Sequence, residues 1–400
     1  MRMLMNILGI VLVLAGLYLY SSARDKVRKE IVIKAMITQF IIAFLLVKFP
    51  LGRIVVSKVS DVVTQVLNYG QDGIGFVFGS LANPGNATGF IFAVSVLCNI
   101  IFLSSLVAAL YYLGILGMIV KVIGKGVGKI LGTTQVESFV AVANMFLGQT
   151  ESPILIAKYL NFMTESEIMV VLISGMGSMS ATIIGGYVAL GIPMESLLIA
   201  SALVPMGSIA ISKIILPELE EAQAISDVRM DNKGKNENLI DAVTEGAQSG
   251  LQSAMAIGAS LIAIIGLVAL INGVLGNFGL TLEKIFAYVF SPLGFLMGLT
   301  GDDMKLAGEL LGSKLVMNEF IAFQKLGSVL SQLGERTGLI LSISLAGFAN
   351  FSSMGICIAG ISALCPEKRG VLSKLAFRAM VGGFAVSVLS AMIVGVITLI

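Results

Sequence analysis

The sequence predicts an all-α polytopic membrane protein: eight transmembrane helices plus two re-entrant helical hairpins in an inverted repeat, with interfacial helices. Three observations carry that prediction. Of 400 residues, 56% are hydrophobic and only 12% charged, with mean hydropathy +0.97, where a soluble domain carries roughly 25% charge. Apolar runs of membrane length recur along the chain, each near the roughly 20 residues a span needs. Two further apolar stretches are interrupted by a carboxylate at half that length.

Taken in order, the first run, Leu4 to Tyr20, has the length of a signal peptide. No A-x-A-like site follows it, and Arg24, Lys26, Arg28 and Lys29 come directly after. It therefore reads as a first membrane helix with a cytoplasmic flank. Spans are expected at residues 3–21, 30–50, 90–120, 166–190, 195–216, 252–275, 338–364 and 372–399. Lys121, Lys125 and Lys129, then Arg229, Lys233 and Lys235, then Lys368 and Arg369 fall in loops of the same parity as the first basic cluster. Those loops are expected to be cytoplasmic, which places both termini outside a multi-pass protein of the cytoplasmic (inner) membrane. Residues 52–70 and 276–290 are amphipathic and are expected along the interface. Glu218 to Asp241 reads as a cytoplasmic linker.

Two intervals do not cross. Residues 134–162 break at Gly148 and Pro153 into halves too short to span, and 300–333 repeat the form around Asn318, Glu319 and Phe320. Both read as hairpins whose polar tips meet in protein, because bare backbone in hydrocarbon is too costly. After the first comes "SGMGSMSATIIGG" (Ser174 to Gly186) and after the second "AGFANFSSMGICIAG" (Ala346 to Gly360), both expected to unwind locally. Hairpin, broken helix and plain helix thus occur twice and enter from opposite sides, the pattern whose substrate and ion sites lie at the midplane. The expected division is 1–132 (N-terminal and interfacial scaffold), 133–216 (first transport repeat), 217–299 (linker, scaffold helix, interfacial helix) and 300–400 (second transport repeat).

Composition also excludes. There is no histidine, so a proton relay would use carboxylates, and Ser/His/Asp, Cys/His and HExxH chemistry is absent. Cys98, Cys357 and Cys365 lack metal or redox spacing and read as packing residues. A net charge of +2 leaves no nucleic-acid footprint. "GKGVGKILG" (Gly124 to Gly132) lacks the phosphate-loop pattern. The sequon Asn86-Ala87-Thr88 is of a length that arises by chance.

An ionisable residue at membrane depth marks a functional site by default, which singles out Glu151 and Glu319; the bland alternative is a water-exposed loop. Gln149 and Thr150 add donors and acceptors able to read the edge of a polar ring. With Glu319, Asn350 and Ser353 form a partner cluster suited to a sugar with vicinal hydroxyls, while Ser352 is assigned to interhelical hydrogen bonding. Phe348 and Phe351 read as core on composition alone. Asn144 and Ser178, with carbonyls freed at Leu147 and Met179, offer oxygens for a hard monovalent cation such as Na+. Lys305, Lys314 and Lys325 are expected to flank the second hairpin at the interface.

The segments "GQTESP", "NEFIAF" and "FANFSSMG", with "FVFGSL" and "KLVMNEF", resemble the signature segments of the concentrative nucleoside transporter family, in its bacterial branch of about 400 residues, over nearly the whole chain. That resemblance implies a base site at Gln149, Thr150 and Glu151, with Ile183 and Phe348 beside the base. It implies a ribose site at Glu319, Asn350 and Ser353, and a sodium site at Asn144, Leu147, Ser178 and Met179. It further implies a homotrimer in the lipid bilayer, moving its hairpin domain like an elevator, with nucleosides of the uridine, cytidine and adenosine class as substrate. No cofactor and no enzyme activity are expected. The coupling ion is Na+ or H+, with Asn144 and Ser178 favouring Na+. An intramembrane enzyme acting on a lipid-type substrate is the alternative from another class, and the duplicated hairpin argues against it.

Overall fold

The computed structural model describes residues 1–83, 85, 89–222, 228 and 236–400. The Asn86-Ala87-Thr88 sequon lies outside these residues, as do Arg229, Lys233 and Lys235 of the linker. Among the described residues the elements are all helical, with no strand. The first half comprises α1 (Arg2–Leu19), α2 (Lys29–Val47), α3 (Pro50–Phe78), α4 (Cys98–Tyr112), α5 (Ile115–Leu131), α6 (Gln135–Ala143), α7 (Ser152–Leu155), α8 (Glu165–Gly177), α9 (Ala181–Ala189) and α10 (Met194–Ile215). The second comprises α11 (Leu239–Gly276), α12 (Leu282–Leu296), α13 (Asp302–Val316), α14 (Glu319–Val329), α15 (Glu335–Leu345), α16 (Phe351–Leu364) and α17 (Arg369–Ile397).

Among the described residues, seven segments are long and apolar enough to cross a membrane: α1, α2, Ala93–Tyr112, Glu165–Ala189, α10, α11 and Pro366–Ile397. The eighth expected span is the pair α15 and α16, broken between Leu345 and Phe351. The span predicted at 90–120 needs correction. It ends at Tyr112, because Gly114 turns the chain with φ +75°, and α5 is a separate helix packed on α6. The span predicted at 252–275 begins earlier: Asn238 caps α11, its side chain accepting from Asp241 N at 3.0 Å, and the helix runs 38 residues.

Both hairpins form. α6 opens on a capping box, Thr134 with Glu137, which satisfies two otherwise orphaned N–H groups. The returning arm differs from the expected half-helix: it is the four-residue α7 followed by a 3-10 turn over Ala157–Phe162. Pro153 brings no N–H to the ladder, and Ile156 N and Tyr159 N bond three residues back rather than four. The second hairpin is more regular, α13 and α14 flanking Met317 and Asn318, whose side chain caps Ile321 N at 3.0 Å.

The duplication runs further than the sequence pattern indicates. A membrane helix, an amphipathic helix, a hairpin, a broken helix and a plain helix follow one another twice, as α4 to α10 and as α11 to α17. α5 packs on α6, α12 packs on α13, and α4 packs along α11. That last seam is made by small residues: a Cβ at Gly250 would sit 2.8 Å from Ile101 Cα, and one at Gly246 2.8 Å from Ser104 O. α17 lies at the centre against α1, α8, α10, α15 and α16. The α10 and α17 spans are 89% buried, whereas α11 is only 11% buried and turns Ile262, Leu267 and Leu270 outward.

Candidate functional site

The four chain breaks, two hairpin tips and two broken helices, converge. Ala181 N at the first broken helix donates to Phe146 O of the first hairpin at 2.8 Å. Phe348 N of the second broken helix donates to Ser178 O of the first at 3.2 Å. Gly347 holds φ +107°, and a Cβ there would lie 2.7 Å from Gly177 O, so only glycine lets the two broken helices touch.

At this junction Glu319 is 5% exposed. Tyr187 Oη donates to its Oε1 at 3.0 Å, and Asn350 Nδ2 donates to its Oε2 at 3.2 Å. One lone pair on each oxygen remains for a further donor. Asn350 does double service, because its Oδ1 caps α16 by accepting from Ser353 N at 2.9 Å. Tyr187 is fully buried against the rings of Phe320 and Phe323, with centroids 4.8 and 4.5 Å away. The sequence reading missed Tyr187; the available signal was a phenol in an apolar helix, which needs a partner when buried.

The first hairpin's tip faces the second broken helix. Gln149 Nε2 donates to Ser353 Oγ at 3.4 Å, and Gln149 Oε1 accepts from Cys357 Sγ at 3.2 Å. Cys357, expected only to pack, therefore orients the amide. Glu151 caps its own turn, its Oε2 accepting from Gly148 N at 3.3 Å. Thr150 is exposed and packs beside Gly360. The Phe348 ring lies against Gly148, and Ile183 is half-buried on α9. Phe351 and Ser352 need correction: both are exposed, Phe351 by 47%, and neither serves the bundle interior.

The four oxygens proposed for a cation sit where α6 and α8 end. Asn144 Nδ2 donates to Val140 O at 3.1 Å and to Ser174 Oγ at 2.9 Å, and Asn144 Oδ1 accepts from Ser152 Oγ at 2.8 Å. Ser178 Oγ donates to Gly175 O at 3.1 Å. The carbonyls of Leu147 and Met179, both buried, accept no backbone hydrogen bond among the described residues. Two buried unpartnered carbonyls beside two neutral side-chain oxygens fit a hard monovalent cation.

Two buried lysines contradict or extend the expectations. Lys314 is fully buried rather than interfacial: its Nζ donates to Ser344 O and Ala346 O, each at 3.0 Å, and to Ser387 Oγ at 2.7 Å. It was expected with Lys305 and Lys325 at the interface, but it is on the inward face of α13. Lys305, by contrast, is exposed beside Asp302, and Lys325 pairs with Glu309. At the base of the first hairpin, Lys213 pairs with Glu137 and lies 3.6 Å from Glu218, and it donates to Ser166 Oγ at 2.9 Å. Thr134 Oγ1 donates to Glu167 Oε1 at 2.8 Å, joining the caps of α6 and α8.

Comparisons with known proteins identify the family. The family description "Na+ dependent nucleoside transporter C-terminus" matches residues 196–395 and its N-terminal counterpart 8–81, with "Nucleoside recognition" over 93–194. The chain belongs to the concentrative nucleoside transporter family. It is 39% identical to the uncharacterized transporter YutK of Bacillus subtilis, each covered over 99% of its length. It is 34% identical to the nucleoside permease NupC of Helicobacter pylori, over 98% of this chain and 97% of that one. Among solved structures, the transporter CNTnw in an inward-facing substrate-bound state matches with a TM-score of 0.96 and 36% identity, over 100% of this chain and 99% of that one. Variants of CNTnw in outward-facing and intermediate states match as well. As a concentrative nucleoside transporter of the bacterial branch, the chain is an integral membrane protein and not an enzyme.

Proposed function

We propose that this nucleoside transporter is a symporter that imports nucleosides across the cytoplasmic membrane, driven by a cation gradient, with Na+ as the cation. The observation that carries the reading is the Glu319 carboxylate, held by Tyr187 and Asn350 with one lone pair free on each oxygen. Two parallel acceptors suit the 2′- and 3′-hydroxyls of a ribose, whose O–H groups are both donors. Asn350 and Ser353 complete that half. Gln149, Thr150 and Glu151 read the base, with Ile183 and Phe348 against its face. Substrates are nucleosides of the uridine, cytidine and adenosine class.

The cation binds Asn144 and Ser178 through side-chain oxygens, and Leu147 and Met179 through carbonyls. Because those ligands join the first hairpin to the first broken helix, binding the ion shapes the surface that Gln149 presents. Residues 133–216 and 300–400 carry the site; 1–132 and 217–299 form the scaffold of a homotrimer, against which the hairpins move as an elevator. CNTnw has been seen facing inward and outward, which supports an alternating site here.

Uptake of labelled uridine into vesicles, with sodium and proton gradients imposed separately, tests the reading. Sodium alone is expected to drive accumulation, and Glu319→Gln to abolish it at normal expression. Accumulation that follows the proton gradient and ignores sodium would reverse the choice of ion; normal uptake by Glu319→Gln would sink the ribose assignment.

A further inference from the structure

Each repeat brings two helix C-termini together: α6 with α8 in the first, α13 with α15 in the second. Each C-terminus carries roughly half a negative charge on carbonyls without intrahelical partners. Buried in a membrane protein, two such ends facing each other need a positive charge. The two repeats meet this need differently. In the first, the bond from hairpin to broken helix is made by a neutral group, Asn144 Nδ2 to Ser174 Oγ at 2.9 Å, with the Leu147 and Met179 carbonyls left over. In the second, hairpin and broken helix are joined by an ammonium. Lys314 Nζ spends all three donors, on Ser344 O and Ala346 O of the broken helix and on Ser387 Oγ of α17, and the Phe384 ring lies 5.7 Å from it. Its oxygen partners are two carbonyls at a broken helix and one hydroxyl, the same kinds of ligand proposed for the mobile ion.

We propose that Lys314 is a tethered cation: its ammonium fills, in the second repeat, the position that a mobile cation fills in the first. The inference rests on the cation site proposed at Asn144, Leu147, Ser178 and Met179. Its functional consequence is an asymmetric site. Lys314 holds the break that carries Phe348 and Asn350 whether or not an ion is bound, so the ribose half is always assembled. The base half, on the first hairpin, is completed only when a mobile cation arrives. Ion binding and nucleoside binding are thereby coupled through one repeat alone.

The test uses the purified full chain in nanodiscs and measures uridine affinity against sodium concentration. Linkage gives the wild type a log–log slope of about one, one cation per nucleoside. Lys314→Ala leaves the carbonyls and Ser387 around an opening of cation size; its slope is expected to rise to about two at low sodium, with affinity recovered at high sodium. Lys314→Gln keeps much of the bulk and two of the three donors but not the charge; its affinity is expected to fall about tenfold, and sodium does not restore it. Should Lys314→Ala fail to fold, Lys314→Gln carries the test. Wild-type affinity and slope in Lys314→Gln would overturn the proposal, as would a Lys314→Ala slope that stays at the wild-type value. A flat wild-type response to both sodium and protons would instead sink the first repeat's ion site, independently of any change in the Lys314 variants.

Discussion

Glu319 takes one side-chain donor on each oxygen, and that arrangement decides what each neighbour contributes. Tyr187→Phe removes the donor on Oε1 while keeping the ring packed on Phe320 and Phe323. A hydrogen bond to a charged group contributes about 1.5–3 kcal/mol, so uridine affinity in Tyr187→Phe is expected to drop by roughly one to two orders of magnitude. Equilibrium binding checks this; an unchanged affinity would mean that Tyr187 does not orient the carboxylate for substrate. At this scale the sequence was informative wherever a polar group interrupts an apolar run, as at Gln149, Glu151, Glu319 and Asn350. It was blind to partners that only the fold supplies. Tyr187 is 132 positions from Glu319, Cys357 is 208 from Gln149, and Lys314 was misplaced because one face of α13 cannot be told from another by a lone lysine among mixed residues.

At the scale of elements, the base of the first hairpin is fastened by buried charge as well as by apolar packing. Lys213 on α10 is 4% exposed, Glu137 on α6 2% and Glu167 on α8 3%, so three elements meet over one ammonium and its carboxylates. Removing one partner of a buried pair leaves an uncompensated charge, at a cost of about 3–5 kcal/mol. Lys213→Met is therefore expected to lower the melting temperature of the detergent-solubilised protein clearly, and Lys213→Met combined with Glu137→Gln to recover part of it. Equal melting of the wild type and the single variant would remove this fastening role. The caps Thr134-x-x-Glu137 and Thr164-x-x-Glu167 went unread in the sequence, and their meeting is supplied only by the fold. Element existence followed well from hydropathy, because spans and half-spans differ in length. Boundaries followed poorly where a backbone event decides them: the turn at Gly114 that ends α4, and Pro153, which converts the returning arm of the hairpin into α7 and a 3-10 turn.

For the whole molecule, the basic loops lead to the expectation that both termini lie outside. Single cysteines introduced at position 1 or 400, in a background lacking Cys98, Cys357 and Cys365, are expected to react with an impermeant maleimide added to intact cells. Labelling only after the membrane is opened would invert the topology. The double hairpin and broken helix were legible in the sequence because polar residues at membrane depth repeat at matching places. The rest of the duplication was not, because α5 and α12 share an amphipathic pattern with any surface helix, and the α4–α11 seam depends on glycines whose neighbours lie far away in the chain. One feature of the junction bears on how such a protein changes over time. Main-chain groups fasten the junction: Phe348 N to Ser178 O joins the two repeats, and Ala181 N to Phe146 O joins the first hairpin to its own broken helix. No side-chain replacement short of proline at 181 or 348 deletes those bonds. The residues that line the pocket are thus not alone in holding it together, and a lineage can exchange one of them to suit a new cargo without first reinventing the joint.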